Sequence, residues 1–188
     1  AFSALIAVCL VAGYALLGAC WLVMKTEGAL QLQAVRWARG ALGFTAVGIA
    51  AVSLATPWVS QAIFDKWFSL PYIVLLAPVP LATVLLFFIT DRSLRRLPTR
   101  LAQNNGYGEW VPFACAVGIF CLAFYGLAYS LFPYLVVERM TVWQGASAPE
   151  SLRIIFAGAA VVLPVIIGYT VFSYRVFRGK TRSLSYGA

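Results

Sequence analysis

The sequence contains no histidine. Imidazole ligation of haem, copper or zinc is therefore excluded for this stretch of chain. So is any Ser–His or Cys–His nucleophile pair. Acids are scarce as well, six against fourteen Lys and Arg. Glu27, Asp65, Asp91, Glu109, Glu138 and Glu150 all fall at the ends of apolar runs or between them. None sits at the centre of a run, where a carboxylate would be a candidate proton relay. Glycine-rich phosphate loops are missing, and Gly106-Tyr107-Gly108 carries no other part of a nucleotide fingerprint. Charged residues make up 11% of the chain, against about 25% in soluble domains.

What is present is apolar. AVILMFWYC residues reach 62% and the mean hydropathy is +0.88, so too little polar side chain exists to cover a globule in water. This is the composition of an integral membrane protein. The net charge of +8 is confined to short connections, as in topology signals, and does not point to a nucleic-acid partner. Apolar runs of about 20 residues predict five spans within a single membrane region covering 1–188: Phe2–Met24, Ala41–Phe64, Pro71–Thr90, Val111–Val137 and Arg153–Phe177. Backbone polar groups in hydrocarbon must pair within their own segment, which makes these helices. No run alternates apolar and polar residues as a membrane barrel would. The expected fold is an all-α, polytopic transmembrane helical bundle.

With five spans, Lys25, Arg36, Arg39, Arg92, Arg95, Arg96, Arg100, Arg175, Arg178, Lys180 and Arg182 fall on one side, and only Lys66, Arg139 and Arg153 on the other. The positive-inside rule then predicts a cytoplasmic C-terminus, with Ala1 on the outer side. Trp21, Trp37, Trp58, Trp67, Trp110 and Trp143 fall near span ends or in connections, where indoles favour the wet–dry boundary. Ala1 opens inside an apolar stretch without the pattern of a cleaved leader, so a piece of a longer chain is expected.

Ser147-Ala148-Pro149-Glu150 has capping-box spacing and predicts a helix start there. Pro149 and Pro112 suit first turns, whereas Pro78, Pro80 and Pro164 are placed deeper and predict kinks. Asp91–Trp110 reads as a basic loop, the longest polar stretch. Ala12, Ala15, Gly18 and Ala19 in the first span, and Gly40, Gly43, Ala46 and Ala50 in the second, form small-residue stripes suited to close helix packing.

Cys9, Cys20, Cys115 and Cys121 lie within apolar helices, away from CxxC spacing, and read as small buried hydrophobes. Met24 and Met140, candidates in principle for axial haem ligands, lie at span edges. Tyr125, Tyr129 and Phe132 form a helical stripe, with Tyr169 and Tyr174 on the last span. Two uses fit it: interhelical hydrogen bonds, or contact with a quinone or lipid tail. Lys25-Thr26-Glu27-Gly28 closes the first span, with Lys25 suited to the helix C-terminal dipole and to lipid headgroups and Gly28 to a C-cap.

The run Gly13-Tyr-Ala-Leu-Leu-Gly18-Ala-Cys-Trp21-Leu-Val-Met-Lys25-Thr26-Glu27-Gly28 resembles a signature of subunit II of cytochrome bd-type quinol oxidases. Tyr129-Ser-Leu-Phe-Pro133-Tyr-Leu135, Thr141-Val-Trp143-Gln-Gly-Ala-Ser-Ala-Pro149-Glu150-Ser-Leu152 and Tyr169-Thr-Val-Phe-Ser-Tyr-Arg-Val-Phe-Arg-Gly-Lys180 are similar to further stretches of that family, in the same order. The resemblance implies a complex of the bacterial cytoplasmic (inner) membrane that oxidises quinol and reduces dioxygen to water. It also implies haems b and d, or b alone, in a partner subunit I, and a haem-free subunit II of two related four-helix bundles. The five spans would then be the last helix of the first bundle and the whole second bundle. Implied partners are subunit I, lipids, the quinol pool and a small accessory subunit. The resemblance assigns no catalytic, cofactor-binding or metal residue here. It implies structural roles for Gly13, Gly18, Trp21, Lys25, Thr26, Glu27, Gly28, Pro133, Trp143, Pro149 and Glu150. The alternatives are half of a secondary transporter, for which broken helices would speak, and an anchor subunit of another respiratory complex.

Overall fold

The structure is a computed structural model that describes residues 2–59, 61–70, 73, 76–103, 106–136, 139–177 and 179–181. It is all-α apart from one small hairpin. Contacts divide it into two units, residues 1–131 with 181–188, and residues 132–180.

The first unit begins with α1 (Phe2–Lys25) and α2 (Gly28–Val59). Only Thr26 and Glu27 separate them, because Gly28 takes φ +69°, a left-handed conformation that costs glycine nothing. Four donors satisfy the last carbonyls of α1. The Thr26 N–H and hydroxyl both donate to Leu22 C=O, at 2.9 and 2.7 Å, and the Gln31 side-chain amide donates to Val23 C=O at 2.8 Å. Thr181 pairs alongside in parallel with Thr26, its N–H donating to Lys25 C=O at 2.8 Å.

Leu16, Ala19, Cys20 and Val23 of α1 meet Ala34, Val35, Ala38 and Leu42 of α2, and all are buried. This corrects the expected loop carrying Arg36 and Arg39. Burial at 31, 34, 35, 38, 42 and 45 is helical periodicity, so α2 starts a dozen residues before the uniformly apolar run does. A short α3 (Gln61–Phe68) follows α2, so the second expected span is two helices; the intervening Ser60 lies outside the described residues.

α4 (Pro78–Ala102) corrects two further expectations. Pro78 and Pro80 lie in its first turn, where a missing N–H costs least, rather than deep within a span. The supposed basic loop from Asp91 is helix as far as Ala102, because Leu94 and Leu97 are buried in the core cluster and Asp91 pairs with Arg95 one turn on, at 2.7 Å. Pro98 sits inside this helix. α5 (Val111–Leu131) starts as predicted, with Pro112 in its first turn, but stops six residues short of the expected Val137. Pro133 explains the stop, since it has no N–H and disfavours helix at Phe132.

Helices α1 and α5 approach closely where Gly13 faces Phe120; a Cβ at Gly13 would lie 2.8 Å from the ring. Gly48 is close to Cys9, and Gly118 to Leu86, in the same way. The expected stripes are only partly involved. Ala19 is core, while Gly18, Gly40 and Gly43 have nothing within 4 Å of an added Cβ.

The second unit holds β1 (Tyr134–Val136) paired antiparallel with β2 (Met140–Thr141), then α6 (Pro149–Val176). The predicted capping box is absent. The N-cap is Ala148, with no side-chain cap bond, so Glu150 falls one position early to reach back. Pro164 lies within α6, and none of that helix's residues is buried.

Among the described residues four helices are long and apolar enough to cross a membrane: Ala4–Lys25, Gly28–Thr56, Val111–Leu131 and Pro149–Val176. The third of the five expected spans includes residues 71, 72, 74 and 75, outside the described set. The protein is a polytopic helical bundle.

Candidate functional site

The residues singled out in the sequence fall in three places. The first is the α1–α2 turn. Trp21 packs its ring on Phe113 of α5 at 5.1 Å, and the Lys25 ammonium lies 5.2 Å from the Trp21 centroid. Gly13 and Tyr14 meet Phe120 two turns higher. Thr26 is buried, Glu27 and Gly28 are exposed. The chemistry available here is positional: a helix end with satisfied carbonyls and one cation over an indole. Gln31 completes it, and the sequence reading missed that residue because its only signal was a polar side chain in phase with the buried face.

The second place is the C-terminal half of α5. Tyr125 and Tyr129 stack with centroids 6.4 Å apart and rings 25° from parallel. Phe132 does not extend this stripe, because the helix ends at Leu131. Instead its ring meets Trp143 edge-on at 5.7 Å within the second unit. Ser130 is buried and accepts the Trp67 indole N–H of α3 at 3.0 Å while donating to Gly126 C=O at 2.7 Å. The sequence reading did not connect these two elements.

The third place is the hairpin. The Phe132–Pro133 bond is cis, the Gln144 side-chain oxygen accepts the Thr141 N–H at 2.9 Å, and the Gln144 N–H donates to the Thr141 hydroxyl at 3.3 Å. Trp143 is exposed, Pro149 opens α6, and Glu150 lies in its first turn, where a carboxylate complements the helix dipole. Tyr169 and Tyr174 are exposed on α6.

Cys20 and Cys115 are buried, Cys9 is half-buried and Cys121 exposed; all four are free thiols. No group of three or more His, Cys, Asp and Glu able to hold a metal ion occurs among the described residues.

Compared with models of known protein families, residues 1–177 match cytochrome bd terminal oxidase subunit II. The chain belongs to that family. The match covers the α1–α2 turn, the tyrosine pair and the hairpin together, and takes in three of the four stretches that carried the resemblance and the fourth as far as Phe177. Comparison with curated proteins gave no match. The cytochrome bd oxidase family makes this chain a multi-pass membrane component of a haem-containing respiratory quinol oxidase, an oxidoreductase complex that includes other subunits. The common haem ligands are poorly represented in this sequence. There is no imidazole, and the two thioethers are Met24 at the end of α1 and Met140 in β2.

Proposed function

We propose that this chain is the haem-free subunit II of a bd-type terminal oxidase and acts by packing against the haem-bearing subunit I. The observation that carries the reading is the pairing of a family match over residues 1–177 with a sequence that has no histidine and no acid central to a span. In such a complex the haems supply electron transfer from quinol and reduction of dioxygen. This chain's helices bury the flank of the partner, exclude bulk water and shape the access of oxygen, protons or quinone.

The chain supplies the last helix of a first bundle and the second four-helix bundle. Its C-terminus is cytoplasmic and Ala1 lies on the outer side, supported by the arginines and lysines clustered at one end. Gly13, Trp21, Lys25, Thr26 and Gly28 set the α1–α2 turn against α5. Pro133, Trp143, Pro149 and Glu150 shape the connection into α6. The Tyr125–Tyr129 pair contacts a lipid tail or quinone.

The test is purification of the membrane complex through this chain, followed by a reduced-minus-oxidised spectrum and then dissociation of the subunits. Haem bands that co-purify, and that leave with the partner on dissociation, are expected. Absence of haem after extraction and assay, or haem retained by this chain alone, overturns the reading.

A further inference from the structure

The exposed surface of the first unit changes character along the helices. On the outer half of α1, Ile6, Val8, Leu10 and Val11 are exposed and apolar. At the other end the exposed side chains include Arg36 and Arg39 of α2 and Arg92, Arg95 and Arg96 of α4, with Leu30 and Leu32 beside them.

Register fixes how deep these arginines lie. The Gln31–Val23 bond and the approach of Gly48 to Cys9 put Arg36 and Arg39 level with Leu16–Trp21 of α1. The Trp21–Phe113 and Gly13–Phe120 contacts put that stretch beside the first two turns of α5. Leu86 meets Gly118, which sets Arg92 level with the start of α5 and Arg95 and Arg96 one turn beyond. At 1.5 Å per residue the five arginines occupy a band roughly 15 Å deep. Part of that band overlaps segments apolar enough to span a bilayer.

A guanidinium facing hydrocarbon is costly, and the long side chain relieves it by reaching a phosphate at the interface. The unit has four acids, of which Glu27 lies in the α1–α2 turn and Asp65 on α3, away from the exposed faces of α2 and α4 that carry the arginines. Asp91 is taken up by Arg95, and Glu109 is buried. Arg36, Arg39, Arg92 and Arg96 make no ion pair among the described residues. Trp37 and Trp110 are exposed at the same level, at 50% and 59%, as indoles of a headgroup belt are. The arginines are spread over the outer sides of two helices. A partner helix would read one stripe, whereas a layer of headgroups meets all of them.

We propose that this basic end of the first unit is a docking surface for anionic phospholipid headgroups, held by Arg36 and Arg39 on α2 and by Arg92, Arg95 and Arg96 on α4. The proposal needs only that the helices cross a bilayer, and is independent of where the haems reside.

The assembled complex, purified in detergent and stripped of lipid, is titrated with phosphatidylglycerol, with phosphatidylcholine and with inorganic phosphate. Thermal midpoint and retained phospholipid, by native mass spectrometry, are the readouts. Phosphatidylglycerol raises the midpoint and the other two do not. In R36Q/R39Q the rise is lost and bound phosphatidylglycerol falls, roughly fivefold per arginine removed; R36K/R39K keeps most of it, and R139Q/R153Q in the second unit is unchanged. If R36Q/R39Q does not accumulate, R92Q and R96Q are read in the same way. An unaltered phosphatidylglycerol response in these variants overturns the proposal. So does an equal response to inorganic phosphate, or loss of another subunit with the lipid response intact, which would assign the arginines to a protein carboxylate.

Discussion

The side-chain amide of Gln31 donates to the main-chain carbonyl of Val23 at 2.8 Å, across the turn that joins α1 to α2. Gln31 is only 3% exposed, so the bond closes a carbonyl that would otherwise face the interior of the hairpin. Replacing Gln31 with Leu keeps the bulk and removes the donor. The expected cost is about 1–3 kcal/mol, that of an unmet buried acceptor, seen as a lower thermal midpoint of the purified complex. Gln31→Glu is expected to be worse, since it buries a charge and still cannot donate when ionised.

Gly28 has φ +69°. Any L residue with a Cβ pays roughly 1–2 kcal/mol to adopt that conformation, so Gly28→Ala is expected to lower the midpoint although nothing lies within 4 Å of the added atom. Gly28→Asn is expected to lose less, because asparagine tolerates the left-handed region. A comparison of the two variants by thermal denaturation separates backbone strain from lost packing.

Gly13 and Gly18 look equivalent in the sequence, and the structure separates them. A Cβ at Gly13 would lie 2.8 Å from Phe120 Cζ, whereas one at Gly18 meets nothing within 4 Å. Gly13→Val is expected to cost about 1–3 kcal/mol by overpacking, and Phe120→Leu in the same chain to restore part of it. Gly18→Ala is expected to leave the midpoint unchanged or raise it, since a mid-helix glycine is less favourable than alanine by about 0.5–1 kcal/mol. Equal effects at both positions would contradict the α1–α5 approach.

Ser147 has the spacing of a capping residue, but Ala148 is the N-cap and no side chain bonds there. Ser147→Ala is therefore expected to change stability by less than about 0.5 kcal/mol, below the usual cost of losing a cap. Trypsin resistance of the segment between Arg139 and Arg153 reports directly on this helix start.

The fold class was legible because the constraint behind it is local: an uninterrupted apolar run has no choice but to pair its own backbone. The start at Val111, and the suitability of Pro112 and Pro149 for first turns, follow from side chains within a few residues. The helical stretches Gly28–Gly40 and Asp91–Ala102 were not legible by the same rule. Their helicity rests on Ala34, Val35, Ala38, Leu94 and Leu97 being covered by neighbours, and a search for apolar runs passes over amphipathic helices. Phe132 shows the opposite error, a residue in perfect helical phase with Tyr125 and Tyr129 that Pro133 removes from the helix.

By itself the sequence determined that this protein lives in a membrane, that it has no imidazole, and that its candidate spans carry no central acid. Each follows from residue identity alone, because solvation and ligand chemistry depend on which side chains exist. Tertiary structure alone decided which glycines lie at close approaches, which polar side chain closes the end of α1, and at what depth Arg36 and Arg39 stand beside it. Those depend on the register between helices distant in sequence, and register is set by the packing of one surface on another.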